Sequence, residues 1–265
     1  MARRTRTRWR GLTRSTVDRT IPASSCRKRN PFPGINMIDK SVASVDAAVA
    51  DIHDGATVMI GGFGVAGMPV ELIDALIARG ARDLTIVNNN AGNADSGVAA
   101  LIRERRVRKI VCSFPRQTDS WHFDKAWREG AIELELVPQG NLAERIRAAG
   151  AGIGAFYTPT GFGTELAKGK ETRAIDGRSY VLEYPIRADF ALVKALRGDR
   201  WGNLVYRKTA RNFGPVMATA AKVTIAQVDE IVELGELDPE AIVTPGIFVK
   251  RLVEVRGATH AVAAA

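Results

Sequence analysis

Residues 57–69 read Thr57-Val58-Met59-Ile60-Gly61-Gly62-Phe63-Gly64-Val65-Ala66-Gly67-Met68-Pro69. The first four make a short buried strand, Gly61-Gly62 ends it, and Pro69 suits the first turn of a helix. Val70, Ile73, Leu76 and Ile77 then recur at helical spacing, and Gly80 stops the helix. The pattern continues outward from this unit. Leu84 to Val87 is a second strand, Lys109 to Phe114 a third and Ile132 to Val137 a fourth. Between them, Thr118 or Asp119 is placed to cap a helix that buries Trp121, Phe123 and Trp127 and stops at Gly130. Leu142, Ile146 and Ala149 line one face of another helix, which Gly150 ends. Strands alternating with helices predict βαβ units, hence one α/β domain with a mainly parallel sheet flanked by helices on both faces. After residue 150 a glycine-rich loop (150–163) leads into strands expected at 179–183 and 188–193. Shorter strands are expected at 203–206, 223–228 and 247–253, with no internal repeat and no linker inside the body.

The turn Gly62-Phe63-Gly64-Val65-Ala66-Gly67 matches G-x-G-x-x-G between a strand and a helix. Taken alone, that is the dinucleotide-binding pattern, in which backbone amides approach phosphates. The second half of the pattern is missing. An acid should stand at the end of the second strand to meet a ribose hydroxyl, but that strand ends in Asn88-Asn89-Asn90, and Asp83 begins it. A nicotinamide cofactor is therefore not expected. Glycines serving only a tight turn are the alternative.

The chain has 265 residues, 38 Lys+Arg and 29 Asp+Glu, a net charge of +9. Ten of the basic side chains, Arg3 through Arg29, fall in residues 1–36 beside a single acid, Asp18. Residues 37–265 therefore hold 28 groups of each sign and no net charge. A neutral body argues against nucleic acid, which needs a basic face to replace phosphate counterions. The arginine-rich start has the composition of a transit peptide but lacks the apolar run of roughly 7–15 residues of a secretory signal. Asn30-Pro31-Phe32-Pro33-Gly34 then breaks the chain. Residues 1–36 are read as a basic, disordered extension or a start placed upstream of Met37, a basic arm for acidic partners being the alternative. Two cysteines, Cys26 and Cys112, exclude a disulfide scaffold and point to a reducing compartment, the cytoplasm. No run approaches the roughly 18 apolar residues that span a bilayer. His53, His122 and His260 show no ligand spacing with cysteine, so no metal site is expected.

Many blocks in order carry a more specific signal. Asp54-Gly55 with Val58-Met59-Ile60-Gly61-Gly62-Phe63, Gly67 and Pro69 resembles the first signature of the family I CoA-transferases. The resemblance continues through Asn88-Asn89-Asn90-Ala91-Gly92, Pro138-Gln139-Gly140-Asn141-Leu142-Ala143-Glu144-Arg145 and Phe156-Tyr157-Thr158-Pro159-Thr160-Gly161. It runs on through Gly169-Lys170-Glu171-Thr172-Arg173 and Tyr206-Arg207-Lys208-Thr209-Ala210-Arg211-Asn212-Phe213. It ends at Glu233-Leu234-Gly235-Glu236-Leu237-Asp238-Pro239 and Thr244-Pro245-Gly246-Ile247-Phe248-Val249. The chain is similar to the A subunits of two-subunit 3-oxoacid CoA-transferases, whose usual beginning resembles Met37-Ile38-Asp39-Lys40. Blocks 111–117 and 182–186 look closer to enzymes acting on 3-oxoadipate than to those acting on acetoacetate.

The resemblance implies a fold of the NagB/RpiA/CoA-transferase kind and a ping-pong reaction through a glutamyl-CoA thioester. The family's nucleophilic glutamate lies in a Ser-Glu-Asn-Gly-like motif of the B subunit, and no such motif occurs here; Glu129-Gly130 ends a helix. A partner B subunit, as an α2β2 assembly, is therefore implied, with acyl-CoA (succinyl-CoA) and a 3-oxo acid as substrates and no permanently bound cofactor. The family's oxyanion-hole glutamine carries over to Gln139, a polar residue that also simply precedes a helix. Its CoA-binding loop carries over to Gly61, Gly62, Phe63, Gly64, Val65, Ala66 and Gly67. Asn88, Asn89 and Asn90 are candidates for the acyl pocket, with turn chemistry as the equal alternative. Arg116 is a candidate for a distal carboxylate, against a solvated arginine. From a different class, the same fold serves as a non-catalytic ligand sensor, but such regulators carry a helix-turn-helix that residues 1–36 have no amphipathic helices to form.

Overall fold

The computed structural model describes residues 38–256. The reading of residues 1–36 as an extension falls outside them. The first helix, α1 (Val45–Val49), is capped by Ser44, whose hydroxyl accepts from the Ala47 amide at 3.1 Å. Then come β1 (Thr57–Ile60), α2 (Val70–Arg79), β2 (Leu84–Val87), α3 (Val98–Arg103), β3 (Val107–Cys112), α4 (Trp121–Arg128), β4 (Glu133–Leu136) and α5 (Gln139–Gly150). A small antiparallel sheet follows: β5 (Phe156–Thr158), β6 (Thr172–Ile175) and β7 (Arg178–Glu183), in the order β5-β7-β6. The chain returns to the main sheet with β8 (Ala188–Asp199), β9 (Leu204–Val205), α6 (Gly214–Ala220), β10 (Ala221–Val232) and β11 (Val249–Glu254).

The main sheet runs β11-β10-β8-β1-β2-β3-β4, every neighbouring pair parallel, with β9 antiparallel on β8. This is the predicted α/β architecture. Strand alternation decides which helix covers which face. Val58, Ile60, Ile86, Ile110 and Cys112 pack against α1 to α4 through Leu72, Ile73, Leu76, Leu101 and Phe123. Met59, Val87 and Val111 point the other way, onto α5 and α6 through Leu142, Ile146 and Met217. Full burial of each such leucine or isoleucine contributes roughly 1.5–3 kcal/mol. From β1 the chain order runs outward to β4 on one side, while β8, β10 and β11 run outward on the other. The boundary between β1 and β8 is therefore the topological switch point, where open α/β sheets place ligands beyond the carboxyl ends of their strands.

Several local expectations need correction. The fourth helix starts at Trp121 with no side-chain cap, because Ser120 is otherwise engaged: its hydroxyl donates to Gly92 O at 3.1 Å and accepts from Gln117 N at 2.9 Å. That helix buries Phe123, but Trp121 and Trp127 are 47% and 45% exposed, and Trp127 stacks over Phe123 with centroids 6.2 Å apart. The third strand lies at 107–112, earlier than expected, because the chain leaves the ladder after Cys112 and makes only an isolated bridge at Phe114. The strand at 188 runs for 12 residues, as does β10, since the two pair in parallel from Ala188/Ala221 to Asp199/Val232.

An ionic network ties the small sheet to α5. Buried Glu183, on β7, accepts from Lys170 Nζ at 2.7 Å and from Asn141 Nδ2 at 3.3 Å. Arg145 donates through Nε to Tyr184 O at 2.7 Å and through Nη1 to Glu135 at 3.0 Å, and Lys109 bonds the same carboxylate at 2.9 Å. Burial alone pushes the Glu135 carboxyl up, but its hydrogen bonds with Lys109 and Arg145 outweigh that and hold it below the usual carboxylate range. The helix that begins at Gln139 is thereby braced from the side.

Candidate active site

Four loops at the carboxyl ends of β1 to β4 stand side by side, joined by hydrogen bonds that the strands alone do not supply. Asn88, fully buried, donates from Nδ2 to Ile60 O at 2.6 Å, tying the end of β2 to the end of β1. Its Oδ1 accepts from the Asn90 amide at 2.9 Å. Asn89 holds the end of β3: its Oδ1 accepts from Ser113 Oγ at 2.8 Å, and its carbonyl accepts from the amides of Ser113 and Phe114, each at 3.1 Å. Val137 N donates to Cys112 O at 2.9 Å and brings the end of β4 alongside. The three asparagines thus divide their work. Asn88 and Asn89 build the turn, whereas Asn90, 1% exposed, uses Oδ1 for the Gly92 amide and leaves Nδ2 buried without a partner among the described residues.

The glycine loop is a small hairpin. Phe63 and Ala66 exchange backbone hydrogen bonds at 3.0 and 3.2 Å, with Gly64 and Val65 at the tip and the Val65 side chain 78% exposed. Gly61 N donates to Leu192 O of β8 at 2.9 Å, and Gly62 N to Asn212 Oδ1 at 3.2 Å. Four of the seven amides in 61–67 are therefore spent inside the protein. Those of Gly64, Val65 and Gly67 remain free among the described residues, so the loop offers a ligand three donors rather than a full phosphate cradle. Gly67 is required where it stands. Its φ is +75°, and an added Cβ would lie 2.1 Å from Ala210 O.

Gln139 is the first residue of α5, directly after Pro138 at the end of β4. Its side chain is exposed and has no hydrogen-bond partner among the described residues. Its strand lies three places from that of the glycine loop, about 14 Å at the usual strand spacing. Arg116 follows β3, and its side chain is 60% exposed, as the solvated alternative expected. Its Nε binds Asp124 Oδ1 on α4 at 2.6 Å, which leaves the two terminal nitrogens.

Other groups at this end of the sheet went unnoticed in the sequence. A cleft of about 780 Å³ opens beside the glycine loop, lined by Tyr206, Lys208, Arg211, Asn212 and Glu240 among others. Burial pushes the Tyr206 phenol up to about 12, and its hydroxyl pairs with Thr244 Oγ1 at 2.8 Å, so it stays neutral at physiological pH. Burial likewise pushes the Cys112 thiol up to about 12, which removes it as a nucleophile. No Asp or Glu occurs in the segments 61–67, 88–92, 113–117 and 137–141. No helix among the described residues is long and apolar enough to cross a membrane.

A doubly wound sheet with a glycine loop at its switch point and polar side chains at the next three strand ends has the arrangement in which open α/β proteins place their ligands. The chain belongs to the coenzyme A transferase family, whose profile, "Coenzyme A transferase", matches residues 42–255. It is 70% identical over 222 residues to the A subunit of the 3-oxoadipate CoA-transferase of Pseudomonas putida, covering 84% of this chain and 96% of that protein. It is 50% identical over 214 residues to the A subunit of the probable succinyl-CoA:3-ketoacid coenzyme A transferase of Bacillus subtilis, covering 81% of this chain and 89% of that one. Among solved structures it resembles an acyl-CoA transferase from Escherichia coli, described as a thioester complex with CoA, with a TM-score of 0.69 at 23% identity. That overlay covers 82% of this chain and 47% of the other, so this chain spans about half the length of that structure. The likeness supports the fold; the family match makes the chain part of a CoA-transferring enzyme.

Proposed function

We propose that residues 37–265 form the A subunit of a 3-oxoadipate:succinyl-CoA CoA-transferase, paired with a B subunit that carries the nucleophilic glutamate, in an α2β2 assembly. The observation that carries this is the 70% identity to a protein of that name, aligned over nearly its whole length. The 50% identity to a 3-ketoacid enzyme makes acetoacetate the second acceptor to test. A CoA thioester and a reactive thiolate also suit a reducing cytoplasm.

The chemistry follows from where charge develops. The partner's carboxylate attacks the succinyl thioester carbon, the C–S bond breaks, and a succinyl-glutamyl anhydride forms with release of CoA thiolate. The thiolate attacks the glutamyl carbonyl, succinate leaves, and glutamyl-CoA remains. The carboxylate of 3-oxoadipate then repeats these steps in reverse and departs as its thioester, regenerating the glutamate. No proton need be gained or lost overall. Each addition turns a carbonyl oxygen into an oxyanion. Gln139, exposed and without a hydrogen-bond partner among the described residues, donates to it from the first residue of a braced helix. The glycine loop takes CoA at the other end of the site, and a pantetheine arm is long enough to join the two. Asn88, Asn89 and Asn90 hold the wall of the acyl pocket, Asn90 with a buried Nδ2 that has no partner among the described residues.

Arg116, its terminal nitrogens uncommitted among the described residues, takes the distal carboxylate of the dicarboxylic acceptor. Arg116→Ala should therefore lower kcat/KM for 3-oxoadipate about tenfold and spare acetoacetate, given the strength of a charge-assisted bond. Equal values for wild type and variant would remove this residue from the site. The whole reading is tested by assaying this chain alone and copurified with its B subunit. Turnover should need both chains and favour 3-oxoadipate over acetoacetate in kcat/KM. An equal or reversed preference would move the assignment to the 3-ketoacid enzyme.

A further inference from the structure

Besides its own Phe63–Ala66 hairpin bonds, the glycine loop is gripped by the turn at 206–213. Asn212 reaches across about 150 residues of sequence. Its Oδ1 accepts from Gly62 N at 3.2 Å and from Phe213 N at 2.6 Å, and its Nδ2 donates to Ala66 O at 2.8 Å and to Thr209 O at 3.0 Å. A primary carboxamide has two donors and two acceptor lone pairs, and all four are used. Two of the bonds fix Asn212 to its own turn. The other two seize the loop on either side of the Phe63–Ala66 hairpin. Beside them, Gly67 comes so close to Ala210 O that even a methyl group would not fit.

We propose that Asn212 is a positioning residue that latches the glycine loop in its substrate-binding form; this rests on the reading that the loop meets CoA. The physical need for it is clear from the loop's composition. Gly62, Gly64 and Gly67 all adopt positive φ, and glycine loses more conformational freedom on ordering than any other residue. Two backbone bonds across a two-residue tip do little against that entropy. A loop left unlatched would have to be ordered by the incoming thioester, and its apparent affinity would fall by the fraction of time it is misfolded. Asparagine is the side chain that fits. Aspartate has the same shape, but its second oxygen would face the carbonyls of Ala66 and Thr209 and repel both.

The test uses Asn212→Ala and Asn212→Asp in the full-length chain copurified with its B subunit, by two readouts. Hydrogen exchange followed by mass spectrometry should show the peptide spanning 61–68 exchanging faster in both variants, while the α2 peptide spanning 70–79 is unchanged. Steady-state kinetics should show KM for succinyl-CoA raised about tenfold, as two lost hydrogen bonds predict. KM for the carboxylic acceptor and kcat should change less than about threefold. A residue that only helped the chain fold would lower the active fraction, hence kcat, and leave KM alone. Unchanged exchange at 61–68 would overturn the latch. Faster exchange with an unchanged KM for succinyl-CoA would overturn its role in binding. A wild-type complex that does not transfer CoA would instead defeat the functional reading, and the exchange experiment would still decide whether Asn212 holds the loop.

Discussion

Replacing Gln139 with alanine is expected to lower kcat of the assembled enzyme by about 100- to 1000-fold, the usual effect of removing one oxyanion donor. KM for succinyl-CoA should stay within about threefold, because the bond strengthens only as the carbonyl oxygen becomes an oxyanion. The residue has nothing else to do in the fold. Its side chain is exposed and makes no internal hydrogen bond among the described residues, so its loss should leave the unfolding temperature of the complex unchanged. Gln139→Glu makes the argument sharper. It keeps size and helix position but places a negative charge against the developing oxyanion, and it should be at least as inactive as the alanine variant. If both variants retain wild-type kcat, Gln139 is only the first residue of a helix.

Gly67→Ala should destabilise the complex by about 3 kcal/mol. Two causes add. A non-glycine residue at φ +75° costs about 1 kcal/mol, and forcing a carbon to within 2.1 Å of Ala210 O adds roughly the 1–3 kcal/mol typical of overpacking. Gly64→Ala separates the causes. Gly64 has a φ of +61° with no atom within 4 Å of an added Cβ, so it should show only the backbone cost, about 1 kcal/mol. Denaturant unfolding of the two variants in the copurified complex checks the difference. Equal destabilisation would mean that the loop and the 206–213 turn are not in close contact. Gly67→Ala should also raise KM for succinyl-CoA, since the loop can accept the methyl group only by moving away from Asn212.

The parts of this fold that were legible in the sequence are those decided locally. β1 and β2 are short apolar runs, and α2 and α5 carry apolar stripes at helical spacing; Gly80 caps α2 as expected, while α5 includes Gly150 and is capped by Ala151. Of the small sheet only the central strand was legible, the expected strand at 179–183 being β7, and its two outer strands were missed for a physical reason. Every residue of β6 is exposed and β5 is only half-buried, so neither strand carries an alternating apolar signal, and the pairing is made by the turn at Asp176-Gly177 and by charges such as Lys170 and Glu183. The tryptophans of α4 misled because large apolar residues are read as core, yet one turn of the helix suffices to bury Phe123 and Ala126.

At the site, position was readable and duty was not. The strand and helix patterns place Gln139, the glycine loop and Asn88-Asn89-Asn90 at strand ends, where the structure has them. They have no means to tell that Asn88 and Asn89 are occupied with Ile60 and Ser113 while Asn90 Nδ2 has no partner among the described residues. Asn212 lies inside a block that resembles the family, but its partners are Gly62 and Ala66, and no local pattern connects residues so far apart.

The central claim is that this chain shapes and stabilises a reaction whose nucleophile belongs to its partner. Intact-mass spectrometry of the copurified complex, after brief exposure to succinyl-CoA without an acceptor acid, tests it most directly. A CoA-sized mass increase on the partner chain, with none on this one, is the predicted result. A CoA adduct on this chain would contradict it.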